Sequence, residues 1–254
     1  MELTIKDLQQ YNTNLLRVVS QICEEEKIPY IGMFGTMLGA VRHKGTIPWD
    51  ADVDIAVPVC MIDRFVRVME SRLPNEYWVD YRKNNKHKRL FPRIGLKQYE
   101  TRVVHVDVYP LIGLPDSIEK QKHLFSNIQR VVRLATVKRY KYTGKKEIKA
   151  KIARLLSLPI SEDRLMNWYD FLCNKYAYED SQLIGCSNAA SGYKRTYNKD
   201  DIEDTIMVEY EDFQIRIPRK YDLILTILYK DYMKYPPQNE IDNAINEKYI
   251  VNSL

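Results

Sequence analysis

The chain has 254 residues, 45% of them hydrophobic and 29% charged, and a net charge of +5. This composition suits one large or two small soluble cores and excludes an extensively disordered chain. No stretch approaches the roughly 20 apolar residues of a membrane span, and "MELTIKDLQQ" lacks the basic-then-apolar pattern of a signal peptide, so a cytoplasmic location is expected.

Residues 4–26 predict an amphipathic helix with Leu8, Tyr11, Leu15, Val18 or Val19, and Ile22 on one face, closed by Pro29. "YIGMF" (30–34) predicts a short strand broken at Gly35-Thr36. "TMLGAVRH" predicts a short helix, ended by Gly45 and Pro48. After the segment 50–59 comes a helix over 61–73, then a strand in "YWVDYR" and a basic turn, "KNNKHKR". "RIGLKQY" and "VVHVDVYPLIGLP" predict two strands of a hairpin. A helical region spans 118–177 with breaks at Gly144 and Pro159. The last quarter predicts a strand in "FQIRIP", a turn at Pro218 and a helix stopped by Pro236-Pro237. With no internal repeat or linker, a single α+β domain over 1–254 is expected. Its parts are a core at 28–116, a helical region at 117–180, and a C-terminal strand and helix at 205–237.

Cys23, Cys60, Cys173 and Cys186 show no C-x-x-C spacing and are expected to be reduced and buried. Between Arg130 and Arg154 the basic residues face a lone Glu147. One reading is a solvated helical face with a lysine-rich loop. The other is a landing strip for an anionic partner: lipid headgroups at the inner membrane face, a diphosphate-linked glycan or nucleic acid.

The segment "GTIPWDADVDIAVPV" carries the chemistry. Asp50, Asp52 and Asp54 alternate with Ala51, Val53 and Ile55, so a strand would put three carboxylates on one face and the apolar set on the other. An exposed, decorated edge strand is the bland reading, but aspartate is depleted in strands and adjacent like charges are costly. A calcium loop fails, because Ile55 stands where glycine is needed and Met61 where a bidentate glutamate is needed. Paired carboxylates of a glycoside hydrolase flank a cleft and do not share neighbouring strand positions. What remains is a divalent-cation site for phosphoryl chemistry, since Mg²⁺ takes one or two carboxylates plus phosphate oxygens. Asp107, in the apolar strand "HVDVYP", is the expected third carboxylate, against the plainer reading of a lone structural aspartate. Gly35-Thr36, where a strand gives way to a helix, offers N–H groups to a phosphate or is simply capping chemistry.

Strand, Gly-Thr, helix, "DVDI" and a later "VDV" together resemble the nucleotidyltransferase superfamily. More narrowly, "GTMLGAVRHKGTIPWDADVDIAV", "HVDVYPLIGLP" and "FQIRIPRKYDLILTILYKDYMKYPP" resemble the conserved blocks of the LicD/fukutin family, over roughly residues 29–237. The resemblance implies an α+β, nucleotidyltransferase-like fold: a mixed β-sheet flanked by helices, with a helical insertion and C-terminal helices. It implies Asp52, Asp54 and Asp107 as catalytic and metal-binding residues, with Asp50 as a secondary ligand. Gly35 and Thr36 would hold donor phosphate, and Arg42, His43 and Lys44 would neutralise it, unless they are simply a basic helix end. The implied cofactor is Mg²⁺, or Mn²⁺ in its place. The implied activity moves a phospho-alcohol, phosphocholine first, from a CDP-linked donor to a sugar hydroxyl of a cell-surface glycan, lipid-linked in one version, and releases CMP. Transfer of glycerol, ribitol or sugar phosphate is the in-class alternative, and nucleotidyl transfer to nucleic acid the other. Two positions depart from the family pattern, Ala51 and Lys230, where aspartate and glycine are common. A choline head group needs aromatic faces, for which Tyr193, Tyr197, Tyr229, Tyr232 and Tyr235 are candidates.

Overall fold

The structure, a computed structural model, describes residues 2–82, 89–99, 104–139, 154–155, 159–187, 192–246 and 249–250. Most of the basic turn at 83–88 and most of the basic run at 130–154 therefore lie outside the described residues, and the expectations placed on them stay there.

Helix α1 (Ile5–Glu25) starts at a capping box. The Thr4 hydroxyl accepts from the Asp7 amide at 3.2 Å, and the Asp7 carboxylate accepts from the Thr4 amide at 2.8 Å. Two otherwise orphaned donors are thereby satisfied. The face of α1 carrying Leu8, Leu15, Leu16, Val19, Ile22 and Cys23 is buried. Three of the four cysteines are buried, and Cys60 is exposed.

Strand β1 (Glu2–Leu3) pairs with residues 249–250 outside the main sheet, and a seven-stranded sheet forms the centre. Its main path runs β2 (Ile31–Gly32), β3 (Val53–Pro58), β6 (His105–Leu114), β5 (Arg93–Leu96) and β4 (Tyr77–Asp80). β7 (Leu183–Cys186) pairs with β6, and β8 (Thr196–Asn198) with β7. Among the described residues only β3 and β6 run parallel; every other pairing in this sheet is antiparallel. This is the expected α+β architecture, a mixed sheet flanked by helices. Strand β6 reads as a nearly continuous apolar run because almost all its residues are buried, as befits a central strand covered on both faces. Val53, Ile55, Val106 and Val108 join one large core with α1 and with α3 (Ile62–Arg72). A second core gathers Ile112 and Leu114 against α4 (Ile118–Arg139) and α5 (Glu162–Cys173).

The last part of the chain holds strands and a helix that periodicity alone did not predict. Strands β7 and β8, helix α6 (Lys199–Glu203) and strand β9 (Thr205–Tyr210) are short, and none spans enough residues to display a period. β9 forms an antiparallel hairpin with β10 (Phe213–Pro218). Helix α7 (Tyr221–Tyr229) and the segment after it fold back toward helix α2 (Phe34–His43).

Candidate active site

The carboxylate segment is less regular than its alternation suggests. Strand β3 begins only at Val53, so Asp54 is the single aspartate of the three inside the strand. Asp50 and Asp52 precede it in an extended turn, where an Asp50 oxygen accepts from the Asp52 amide at 3.1 Å. That bond is the local geometry an aspartate favours over a strand ladder. The turn is anchored from afar by Glu211 at the tip of the β9–β10 hairpin. Its carboxylate accepts from the Thr46 amide at 2.9 Å, and its own amide donates to the Lys44 carbonyl at 2.7 Å. A Cβ on Gly45 would fall 2.2 Å from the Glu211 carboxylate, so a larger residue here would push that anchor aside.

Register brings the acids together. Asp54 on β3 sits directly opposite Asp107 on β6, Asp107 opposite Arg93 on β5, and Arg93 opposite Asp80 on β4. Register partners share a face, so four charged side chains form a row across four strands about 4.8 Å apart. Arg93 grips Asp107 with a two-pronged bond, Nε to one oxygen and Nη2 to the other, the latter at 2.7 Å. Asp80 takes Arg89 at 2.7 Å. His105 lies 3.7 Å from Asp107, but burial first and Arg93 second push its pKa down to about 3, so it contributes a neutral ring and no countercharge.

Asp50, Asp52 and Asp54 form no ion pair among the described residues. Burial, then Asp107, Asp52 and Asp50, hold the Asp54 carboxyl well above the usual range. Asp52 keeps an exposed surface, yet protein crowds it enough that burial first, and then Asp50 and Asp107, raise its pKa as well. Burial raises Asp50, with the Asp52 and Ala51 amides pulling the other way. Such a cluster is short of positive charge. Hard oxygen donors of this kind would suit a divalent cation such as Mg²⁺ or Mn²⁺. Among the described residues, no three acidic, histidine or cysteine side chains are arranged to hold one ion. Asp107 is already held by Arg93, so a finished three-carboxylate cage is not what the protein presents.

Helix α2 builds the opposite wall. It begins at Phe34, two residues before the expected start, with Phe34 in the left-handed region at φ 50°. That conformation is costly for a bulky residue and marks a constrained turn beside the site. Gly35 lets Asp50 approach the first turn, since a Cβ there would lie 2.9 Å from an Asp50 oxygen. Thr36 is only 1% exposed, and its hydroxyl accepts from the Asp54 amide at 2.8 Å. Thr36 therefore fastens Asp54 to α2; its hydroxyl oxygen faces the protein and not an incoming phosphate. The basic end of α2 also differs from expectation. Lys44 turns away to Glu209, 3.1 Å distant. Burial, then Arg42, lowers the pKa of His43, and its ring packs edge-on to Trp49 and Tyr235. A neutral ring neutralises nothing. Arg42 alone of the three lines the cavity beside Asp50, with a nitrogen 2.8 Å from the Tyr232 carbonyl.

Three contributors escaped the sequence reading. Arg93 and Asp80 are lone charges in otherwise apolar strands, the same signal that singled out Asp107. Arg195, from the turn before β8, lies over the Phe34 ring at 5.2 Å and has no acidic partner among the described residues. Nothing in its local sequence marks it. Of the five tyrosines considered, Tyr229, Tyr232 and Tyr235 line one cavity with Trp49, while Tyr197 is buried elsewhere and Tyr193 packs near Lys122.

The mixed sheet thus carries an aspartate pair with no ion-pair partner among the described residues, beside the first turn of α2. Residues 27–140 match the family model described as LicD/FKTN/FKRP, nucleotidyltransferase domain. The chain is also 26% identical to the lipopolysaccharide cholinephosphotransferase LicD of Haemophilus influenzae, over 98% of its own length and 99% of the relative's. Among the described residues no helix is long and apolar enough to cross a membrane.

Proposed function

We propose that this protein transfers phosphocholine from a CDP-linked donor to a sugar hydroxyl of a cell-surface glycan, releasing CMP. The observation that carries the reading is the cluster Asp50, Asp52 and Asp54, which pairs with no basic side chain among the described residues and lies beside Asp107, in a chain that aligns end to end with a cholinephosphotransferase. Asp52 and Asp54 would hold Mg²⁺ or Mn²⁺, which when bound offsets the charge of the donor diphosphate and of the departing CMP.

The chain's own residues do the rest. Arg195 and Arg42 supply positive charge on the α2 side, where the donor phosphates enter. The acceptor oxygen attacks the phosphorus bearing choline, and the bond from that phosphorus to the oxygen shared with CMP breaks. Asp107 takes the hydroxyl proton. A carboxylate oxygen has two lone-pair sites, so the Arg93 fork leaves one on each oxygen, and it fixes the orientation of Asp107 toward Asp54.

The test is to incubate the protein with Mg²⁺, a panel of CDP-choline, CDP-ribitol and CDP-glycerol, and glycan acceptors. CMP release is followed and the product phosphodiester is identified by phosphorus NMR. Phosphocholine on the glycan is the expected product. Turnover of the polyol donors alone would replace choline by a polyol, and no CMP from any donor would end the reading. Full turnover by Asp107→Asn would remove Asp107 as the base.

A further inference from the structure

A cavity of about 370 Å³ opens beside Asp50 and Gly35, between α2 and the segment that follows α7. One wall is aromatic. Trp49 and Tyr235 lie with ring centroids 5.5 Å apart and tilted planes, and Tyr229 and Tyr232 extend the same lining. These rings already receive a cation: the Arg42 guanidinium lies 4.9 Å from Tyr235 and 5.5 Å from Trp49. By donating to the Tyr232 carbonyl, Arg42 also pins the segment that carries the tyrosines.

The cavity's charges come in both signs. Asp50 and Asp231 line it, and neither meets a basic side chain among the described residues; Arg42 and Lys234 line it as well. A polyol phosphate offers hydroxyls to the carboxylates but brings no cation to the aromatic wall. A zwitterion with a cation and a phosphate on one short bridge uses both. Position agrees with this, because Asp50 lines the cavity and also belongs to the carboxylate cluster, where it accepts from the Asp52 amide. An aromatic wall also discriminates by type of cation. It attracts a methylated ammonium as well as a primary one, but cannot replace the water hydrogen bonds a primary ammonium gives up.

We propose that this cavity is the subsite for a quaternary ammonium head group, with Trp49, Tyr229 and Tyr235 facing the cation and Asp231 as its countercharge, and that it selects trimethylammonium over primary ammonium. The inference rests on the phosphocholine reading above but is tested apart from it. Phosphocholine and phosphoethanolamine are titrated calorimetrically into the full chain and into Trp49→Leu, Tyr235→Leu and Asp231→Asn. CMP release from CDP-choline and CDP-ethanolamine is measured in parallel.

The wild type is expected to favour phosphocholine by about tenfold or more, and each aromatic variant to lose about tenfold in phosphocholine affinity but less than about threefold for phosphoethanolamine. Tyr235 is 53% exposed, so its variant retains the fold even if Trp49→Leu does not. Equal binding of the two ligands by the wild type, or equal losses for both in Tyr235→Leu, overturns the assignment. If CDP-choline is turned over while the variants keep the wild-type preference, the cavity assignment falls and the transfer reading stands. If phosphocholine binds selectively and CDP-choline is not turned over, the transfer reading falls and the cavity assignment stands.

Discussion

Asp54→Asn is expected to stabilise the protein while abolishing turnover. Asp54 faces Asp107 across neighbouring parallel strands, with Arg93 one strand further along the same row. At a strand spacing of about 4.8 Å and an effective dielectric near 20, two unit charges repel by about 3.5 kcal/mol. Arg93, at about twice that distance, returns roughly half. The neutral amide thus relieves about 2 kcal/mol from this row, and for a chain of this size each kcal/mol moves Tm by about 2–4 °C. A rise of about 4–8 °C follows in cation-free buffer at pH 8.

The pH dependence gives the sharper check. Folding raises the Asp54 pKa, through burial and then Asp107, Asp52 and Asp50, so the native state binds this proton more tightly than the unfolded chain does. Its ionisation then costs stability as pH climbs from the unfolded value near 4 through the raised native one. The advantage of Asp54→Asn should be greatest at about pH 8 and vanish near pH 4. Thermal melts in EDTA across that range decide it. A variant that melts at or below the wild type at pH 8, or a difference that persists on acidification, would refute the reasoning. A stabilising substitution that abolishes activity is what a carboxylate kept for its ligand should show.

Arg93→Gln leaves Asp107, 8% exposed, without its fork, and loss of one partner of a buried pair costs about 3–5 kcal/mol. Urea denaturation should register that loss, with Arg93→Lys recovering part of it because lysine keeps the charge and not the fork; unchanged midpoints would contradict the row. Thr36→Val keeps the shape but removes the acceptor of the Asp54 amide, at about 1–3 kcal/mol, and should lower both Tm and CMP release, whereas Thr36→Ser restores both. Lys44→Ala breaks only an exposed pair with Glu209, so stability should change by less than about 1 kcal/mol and CMP release should be unaltered. A fall of more than about fivefold in turnover would return Lys44 to the site.

The chain's own periodicities set out much of this protein. The apolar stripe of α1, the short helix after the first apolar strand, and the apolar run of β6 broken by Asp107 are all written in residues a few positions apart. Local steric and solvation preferences act over that range. The long signature from Gly35 to Val57 likewise carried the aspartates and the family resemblance. Register belonged to the tertiary structure. Nothing near Arg93 says that it faces Asp107, nothing near Glu211 says that it holds the loop before Asp50, and nothing near Tyr235 says that it meets Trp49. These partners lie 14 to 186 positions apart in the sequence. Their meeting depends on how strands pair and helices pack, so only the assembled fold decides which charges are paired and which are not.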